Sequence, residues 1–83
     1  MKNIEKEIIS PSSPEWKTVI EAVKDKYQGT DKGRFIQMKY EQRMNMVHIC
    51  MELFISQSSF YSWRQEIIHE VEKRAAYAHL IEM

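Results

Sequence analysis

Apolar residues recur at helical spacing along most of the chain, and no segment shows the sustained alternation of a β-strand. The clearest stripe begins after Ser13 and Pro14, a hydroxyl cap followed by a proline at the first helical position. It ends before Gly29, as is typical of helix C-termini. Its members are Trp16, Val19, Ile20, Val23 and Tyr27. This spacing predicts a long amphipathic helix with one buried face.

Shorter segments are predicted on either side of this helix. Residues 1–12 form an N-terminal arm or short helix, with isoleucines at helical spacing before two prolines interrupt the chain. Downstream, Thr30 or Asp31 would cap a helix that carries Phe35, Ile36, Met38 and Tyr40. With only two glycines and two prolines among 83 residues, the pattern predicts an all-α fold of about four helices, in which residues 13–83 are one domain.

The most informative segment is residues 45–65, whose pattern is that of a helix-turn-helix. A short helix over residues 45–53 leads into a turn at residues 54–55, and Ser56 caps a second, long helix. Cys50 would be the small residue where the two helices cross. The apolar stripe of the second helix comprises Phe60, Trp63, Ile67, Val71, Ala75 and Ala78. No helix-breaking residue follows before the C-terminus, so this helix is predicted to be long.

The composition of the outward face of the second helix distinguishes a DNA-reading helix from an ordinary helical hairpin. Over residues 57–65 it carries short polar residues, one tyrosine and one arginine, which can donate to phosphates and base edges. A helix that faces only solvent usually carries Glu and Lys, as this one does at Glu66, Glu70, Glu72 and Lys73. Because phosphates repel carboxylates, we expect the helix to leave a DNA groove at this change in composition.

The candidate DNA-binding residues divide by role. The helix N-terminus, where free N–H groups favour a phosphate, contains Ser56, Gln57 and Ser58. The candidates for contact with base edges are Gln57, Ser58, Tyr61, Ser62 and Gln65. Arg64 would contact a guanine or a phosphate, whereas Lys39 and Arg43, which precede the motif, would contact the DNA backbone or lie on a solvated surface.

The distribution of charge along the chain favours a DNA contact near the predicted helix-turn-helix. The chain has 12 basic and 12 acidic residues, and zero net charge argues against avid nonspecific DNA binding. Residues 32–64 nevertheless have a balance of +3, against −1 for residues 1–31 and −2 for residues 65–83. This excess comes from Lys32, Arg34, Lys39, Arg43 and Arg64 against Glu41 and Glu52. The positive excess therefore lies directly before and within the predicted motif.

Phe54 occupies a turn position that is often glycine, because glycine adopts a positive φ readily. Two interpretations follow. Either the turn is reshaped to suit a bulky residue, or Phe54 is an exposed apolar residue at a contact.

A resemblance to small phage transcriptional regulators of the ArpU and RinA type extends over the stretch MELFISQSSFYSWRQEII. Its most specific part is Phe60-Tyr61-Ser62-Trp63-Arg64. The preceding stretch, RFIQMKYEQRMNMVHICMELFIS, is similar to the start of region four of sigma factors, the promoter-binding helix-turn-helix domain. There Met38-Lys39-Tyr40 takes the place of a Leu-Arg-Tyr-like triplet. The resemblance covers about residues 35–78.

This resemblance implies a cytoplasmic DNA-binding activator of late or transfer genes on a phage or an integrated element. It implies base or phosphate contacts at Gln57, Ser58, Ser59, Tyr61, Arg64 and Gln65. The regulators it resembles are usually longer, and the acidic second half of the last helix here has no counterpart in their pattern. The implied partners are double-stranded DNA and RNA polymerase.

Other chemistries find little support in the sequence. His48, His69 and His79 are scattered without cysteine partners, so we expect no metal site and no cofactor. No glycine-rich phosphate loop or nucleophilic pair indicates an enzyme, and no apolar run approaches the length of a membrane span. The single cysteine suits a reduced cytoplasm.

Two alternatives concern partners. Tyr77, Leu80 and Ile81 predict packing on the N-terminal helix or a homodimer through the C-terminal helix, as dimers often read two DNA half-sites. The alternative to a DNA reader is a sigma-like module that binds RNA polymerase or another regulator without reading DNA. Zero net charge and the acidic C-terminal segment favour that alternative.

Overall fold

The computed structural model describes residues 3–81, and that range contains helices and no strand. The elements are α1 (Ile4–Ile9), α2 (Pro14–Tyr27), α3 (Asp31–Ile36), a π-helical segment (Gln37–Glu41), α4 (Met46–Leu53) and α5 (Gln57–Tyr77). The predicted small all-α domain with a long C-terminal helix is confirmed. The predicted limits 1–12 and 13–83 each include two terminal residues that lie outside the described range.

The helix starts follow from local capping. At each cap a side-chain oxygen accepts a hydrogen bond from the backbone N–H three residues later, which satisfies one of the free donors at a helix N-terminus. The capping residues of α2 to α5 are Ser13, Thr30, Asn45 and Ser56. Three of these caps were predicted as such, and Asn45 was predicted as the first residue of its helix.

A sharp turn connects α2 to α3. Gly29 has a φ of +79°, a left-handed conformation that glycine adopts at little cost. Gly33, in the first turn of α3, lies so close to the end of α2 that a Cβ atom there would overlap the carbonyl oxygen of Tyr27. Both glycines of the chain therefore serve this turn, which brings α3 back onto α2.

The core forms where α2, α3, α4 and α5 meet. Its most deeply buried members are Phe35, Ile49, Ile67, Val71 and Ala75. The ring of Phe35 packs edge-on against Phe60 and Trp63, with centroid distances of 5.1 and 5.9 Å. The whole predicted stripe of α2 is buried. In the predicted stripe of α5, Trp63 is half-buried, and Ala78 lies beyond the helix end and is exposed, so its assignment to that stripe was wrong.

An arm and a short helix were the two alternatives predicted for the N-terminal segment, and the structure has the short helix α1. Ile8 is buried and Ile4 packs against the core, while Ile9 is largely exposed. Through these contacts α1 lies against α2, α5 and the π-helical segment. This position brings the first residues of the chain close to the N-terminal half of α5.

Ion pairs attach the second half of α5 to the preceding helices. Glu66 accepts from Lys32 at 2.8 Å and from the Tyr27 hydroxyl at 3.1 Å. The hydrogen bond from Lys32 lowers the pKa of Glu66. The carboxylate of Glu70 is only 8% exposed and pairs with three cations, Lys26 (3.1 Å), Lys73 (3.3 Å) and Arg74 (3.0 Å).

These ion pairs correct the sequence analysis at one point. Glu70 was expected on a solvated outer face, but it is buried, and burial raises its pKa less than the three cations lower it. Glu66 is exposed, yet it is held by α2 and α3. Glu66 and Glu70 thus take part in packing between helices. The place where α5 would leave a DNA groove stays a prediction.

We expect Phe35→Ala to lower the free energy of unfolding by about 3–5 kcal/mol, because it leaves a cavity at a fully buried core position. Phe54→Ala removes the same atoms from a side chain that is 95% exposed, and it should change stability by less than about 0.5 kcal/mol. Urea denaturation followed by circular dichroism measures both. Similar losses in the two variants would contradict the assigned core.

Candidate nucleic-acid interface

A tight turn fixes the relation between α4 and α5. The N–H of Ile55 donates to the carbonyl of Cys50 at 3.1 Å, and Phe54 has φ 55° and ψ 45°. The backbone therefore keeps the left-handed conformation that usually selects glycine, and the turn is not reshaped around the bulky residue. The Phe54 side chain is 95% exposed instead. Cys50 is half-buried, with its sulfur 3.8 Å from the Ser56 carbonyl.

The N-terminal half of α5 presents a polar face to solvent. All five candidates for base-edge contact are exposed: Gln57, Ser58, Tyr61, Ser62 and Gln65. Three of them, Gln57, Tyr61 and Gln65, recur every four residues and so lie along one side of the helix. We call these five residues the α5 polar face. It carries hydrogen-bond donors and acceptors and no formal charge.

Two other candidate serines, Ser56 and Ser59, take part in the N-terminal cap of α5. Ser56 Oγ accepts from the N–H of Ser59 at 3.1 Å and lies 3.1 Å from the Ser59 hydroxyl. Ser56 remains exposed, whereas Ser59 is half-buried. Their first role is therefore capping, and a phosphate at this end would meet mainly backbone N–H groups.

Arg64 and Lys39, both predicted DNA contacts, share one carboxylate partner. Arg64 donates through Nε to Glu5 Oε2 at 3.0 Å and through a terminal nitrogen to Glu5 Oε1. Lys39 Nζ lies 3.3 Å from the same carboxylate, and the Tyr40 hydroxyl donates to it at 2.8 Å. We call these four residues the Glu5 cluster. It joins α1, the π-helical segment and α5 at the edge of the α5 polar face.

The contacts within the cluster shift the pKa values of Glu5, Tyr40 and Arg64. Burial raises the pKa of Glu5, but hydrogen bonds from Arg64 and Tyr40 and the charge of Lys39 outweigh burial and place it below its usual value. The hydrogen bond to Glu5 raises the pKa of Arg64. Burial and the same carboxylate raise the pKa of Tyr40. The cluster thus contains an anion, two cations and a neutral hydroxyl donor.

The fold redistributes the positive charge that the sequence places in residues 32–64. Lys32 is paired with Glu66, and Glu5 takes two further cations. Within residues 3–81, Arg34 and Arg43 have no carboxylate at ion-pair distance, and both are exposed. Arg43 also has a positive φ of 58°. Among the predicted DNA contacts, Arg43 is therefore the cation most accessible to a phosphate.

Sequence reasoning missed Glu5 and Tyr40 as members of this site. Glu5 is 59 positions from Arg64 and 35 from Tyr40, so no local spacing connects them. Tyr40 was assigned to an apolar helix face, and it is indeed buried. Nothing in the sequence indicated that its hydroxyl would donate to Glu5. Only the packing of α1 brings these groups together.

An apolar surface lies on the outer side of α4. Val47, Met51 and Phe54 are 63%, 68% and 95% exposed and recur at spacings of four and three. We call these three residues the α4 apolar surface. The sequence did contain a signal for it, because α4 has more apolar positions than one buried face of a short helix can use.

The C-terminal segment packs on its own domain. Leu80 and Ile81 lie half-buried against the core, and the N–H of Leu80 donates to the Ala75 carbonyl at 2.8 Å. Tyr77 remains 81% exposed. Of the three residues from which a homodimer was predicted, only Tyr77 is largely available to a partner, and the homodimer remains a prediction.

Two further findings concern the described residues. None of their helices combines the length and apolar character needed to cross a bilayer. No three of their His, Cys, Asp or Glu side chains are grouped in a way that suits a metal ion.

Glu5, Glu66 and Glu70 all have lowered pKa values, so the folded state binds fewer protons than the unfolded state at acidic pH. Their contribution to stability is complete above the ordinary value of 4.5 and is lost as the pH falls through the lowered values. We expect the free energy of unfolding to decrease below about pH 4.5, and to decrease less steeply in Glu5→Gln. Urea denaturation at a series of acidic pH values measures this. A variant as acid-sensitive as the wild type would contradict the role of Glu5.

Comparison with known proteins identifies the family. A model described as "Protein of unknown function (DUF1492)" matches residues 2–72. No curated protein and no solved structure matches the chain. Since the match covers most of the sequence, the chain belongs to the DUF1492 family of proteins of unknown function.

Proposed function

We propose that this protein is a sequence-specific DNA-binding transcriptional regulator that reads the major groove with the helix beginning at Gln57. The observation that carries the proposal is the α5 polar face, an exposed and uncharged set of side chains at the start of a long, well-packed helix. Glutamine binds a base edge through a paired donor and acceptor, and serine binds one through its hydroxyl. A helix in the major groove is the usual way to present them.

The N-terminus of α5 suits an approaching phosphate. Helices α1, α2 and α3 each have an acidic residue in the first turn, where a carboxylate compensates the helix dipole. Helices α4 and α5 have none. The positive end of α5 is therefore uncompensated at the place where a groove-binding helix would meet the DNA backbone. Arg43 adds an accessible cation.

The remaining parts of the proposal come from the resemblance to ArpU- and RinA-type regulators and to sigma region four. The protein would act in the cytoplasm on genes of a phage or an integrated element, with RNA polymerase as a further partner. Zero net charge and the pairing of two cations with Glu5 support a moderate affinity for DNA. A homodimer would increase that affinity by reading two half-sites.

The α4 apolar surface favours a second candidate, a protein-interaction module. An exposed apolar patch on a small domain usually marks a contact with another macromolecule. RNA polymerase or another regulator would bind there through Met51 and Phe54. Such a module would not need the α5 polar face to read bases.

We expect Gln57→Ala and Gln65→Ala each to weaken binding to the preferred duplex by about 1–3 kcal/mol, since each removes a paired donor and acceptor. The matched control is Gln28→Ala, at an exposed position just after α2. Fluorescence anisotropy with duplexes from upstream of the gene and of its neighbours, and with a scrambled duplex, measures the effect. Flat titrations from a folded protein on every duplex would refute the DNA reader.

The second candidate predicts a different response. Met51→Ser should reduce binding to purified RNA polymerase and leave the helices intact, because the side chain is already 68% exposed. Gln57→Ala should bind polymerase like the wild type. Surface plasmon resonance with immobilised polymerase measures both variants, and equal binding by Met51→Ser and wild type would refute this surface.

A further inference from the structure

The donors of the Glu5 cluster are arranged as they would be around a phosphate. Arg64 directs two N–H groups at the two oxygens of one carboxylate, a fork geometry that also matches phosphate. Lys39 adds a point charge and Tyr40 a hydroxyl donor. These three side chains come from two separate elements, so their convergence on one anion depends on the fold.

The charged members of the cluster are partly open to solvent. A surface cavity is lined by Glu5, Lys39, Tyr40, Arg43 and neighbouring apolar residues. Arg64 itself is 31% exposed and directly precedes Gln65 of the α5 polar face. A strand whose bases met that face would thus bring a phosphate near Arg64.

We propose that Lys39, Tyr40 and Arg64 form a binding site for a DNA backbone phosphate, and that the Glu5 carboxylate occupies this site in the free protein. This inference rests on the proposed DNA-binding function and adds how that function is restrained. A phosphodiester carries one negative charge, as the carboxylate does, so the exchange leaves the charge balance of the site unchanged. Contact with DNA at this site requires Glu5 to leave it.

Little of the structure has to change for this exchange. Ile8 is 4% exposed, so α1 has an apolar contact with the core besides the contacts of Glu5. Rotation of the Glu5 side chain therefore vacates the site while α1 stays in place. A duplex that makes few other contacts gains too little to displace the carboxylate, so Glu5 selects against nonspecific DNA.

The test compares Glu5→Gln with Glu15→Gln, which removes the same charge from an exposed position in the first turn of α2. Glutamine at position 5 cannot pair with the two cations. We expect Glu5→Gln to bind a short scrambled duplex about three- to tenfold more tightly than Glu15→Gln does. We also expect a plot of log Kd against log salt concentration to have a steeper slope, by the amount that corresponds to about one additional phosphate contact. Adding Arg64→Ala to Glu5→Gln should abolish most of the gain.

The outcomes separate the two proposals. If the wild type binds DNA and Glu5→Gln binds no tighter than Glu15→Gln, the phosphate site is overturned and the DNA reader stands. If no folded variant binds any duplex, the DNA reader fails and the phosphate site fails with it. A purely structural Glu5 would lower the melting temperature of Glu5→Gln without changing affinity at temperatures where both proteins are folded.

A second measurement applies if Glu5→Gln does not fold. The Arg64 Nε–H resonance of the wild type reports its hydrogen-bond partner directly. We expect this resonance to shift when the protein is saturated with duplex DNA, because a phosphate replaces the carboxylate. An unchanged resonance at saturation would overturn the proposal without any substitution.

Discussion

The burial of Phe35 is the contact on which the rest of the structure depends. Its ring is fully enclosed and packs edge-on against Phe60 and Trp63, which ties α3 to the first turns of α5. Because these two residues are held inward, the α5 polar face must point outward. The tight turn after α4 sets the start of α5 beside α4, so the candidate interface depends on core packing and on this turn together.

Electrostatics divides α5 into two halves with different partners. In the second half, carboxylates at Glu66 and Glu70 pair with cations of α2, α3 and α5 itself and fasten the helix to the domain. In the first half the helix supplies a cation, Arg64, to a carboxylate of α1. The first half thus combines an uncharged polar face with positive charge that is already matched. Under the proposed DNA-binding function, this combination would favour selective over avid nonspecific binding, since counterion release scales with the free cations.

Two exposed surfaces of different chemistry lie next to each other on α4 and α5. The α5 polar face offers hydrogen-bond donors and acceptors. The α4 apolar surface offers exposed apolar area, whose burial against a partner is favourable. Phe54 belongs to the second surface and sits in a left-handed turn, a conformation that costs a non-glycine residue about 1–2 kcal/mol. An aromatic side chain kept at that cost in an exposed turn favours a partner there. The two proposed functions therefore use different surfaces of the domain.

The sequence by itself determined most of the elements, because capping and apolar periodicity act over three or four residues. It did not predict the π-helical segment Gln37–Glu41, which lies within one predicted helix. Ser13, Thr30 and Ser56 mark helix starts, the stripe of α2 is buried as predicted, and the α5 polar face is exposed. Only the tertiary structure decided which charges are free. Glu5 reaches Arg64 across 59 positions, and Glu70 lies buried against Lys26 of a different helix. No local pattern records such contacts, because they exist only after hydrophobic burial has brought distant helices together.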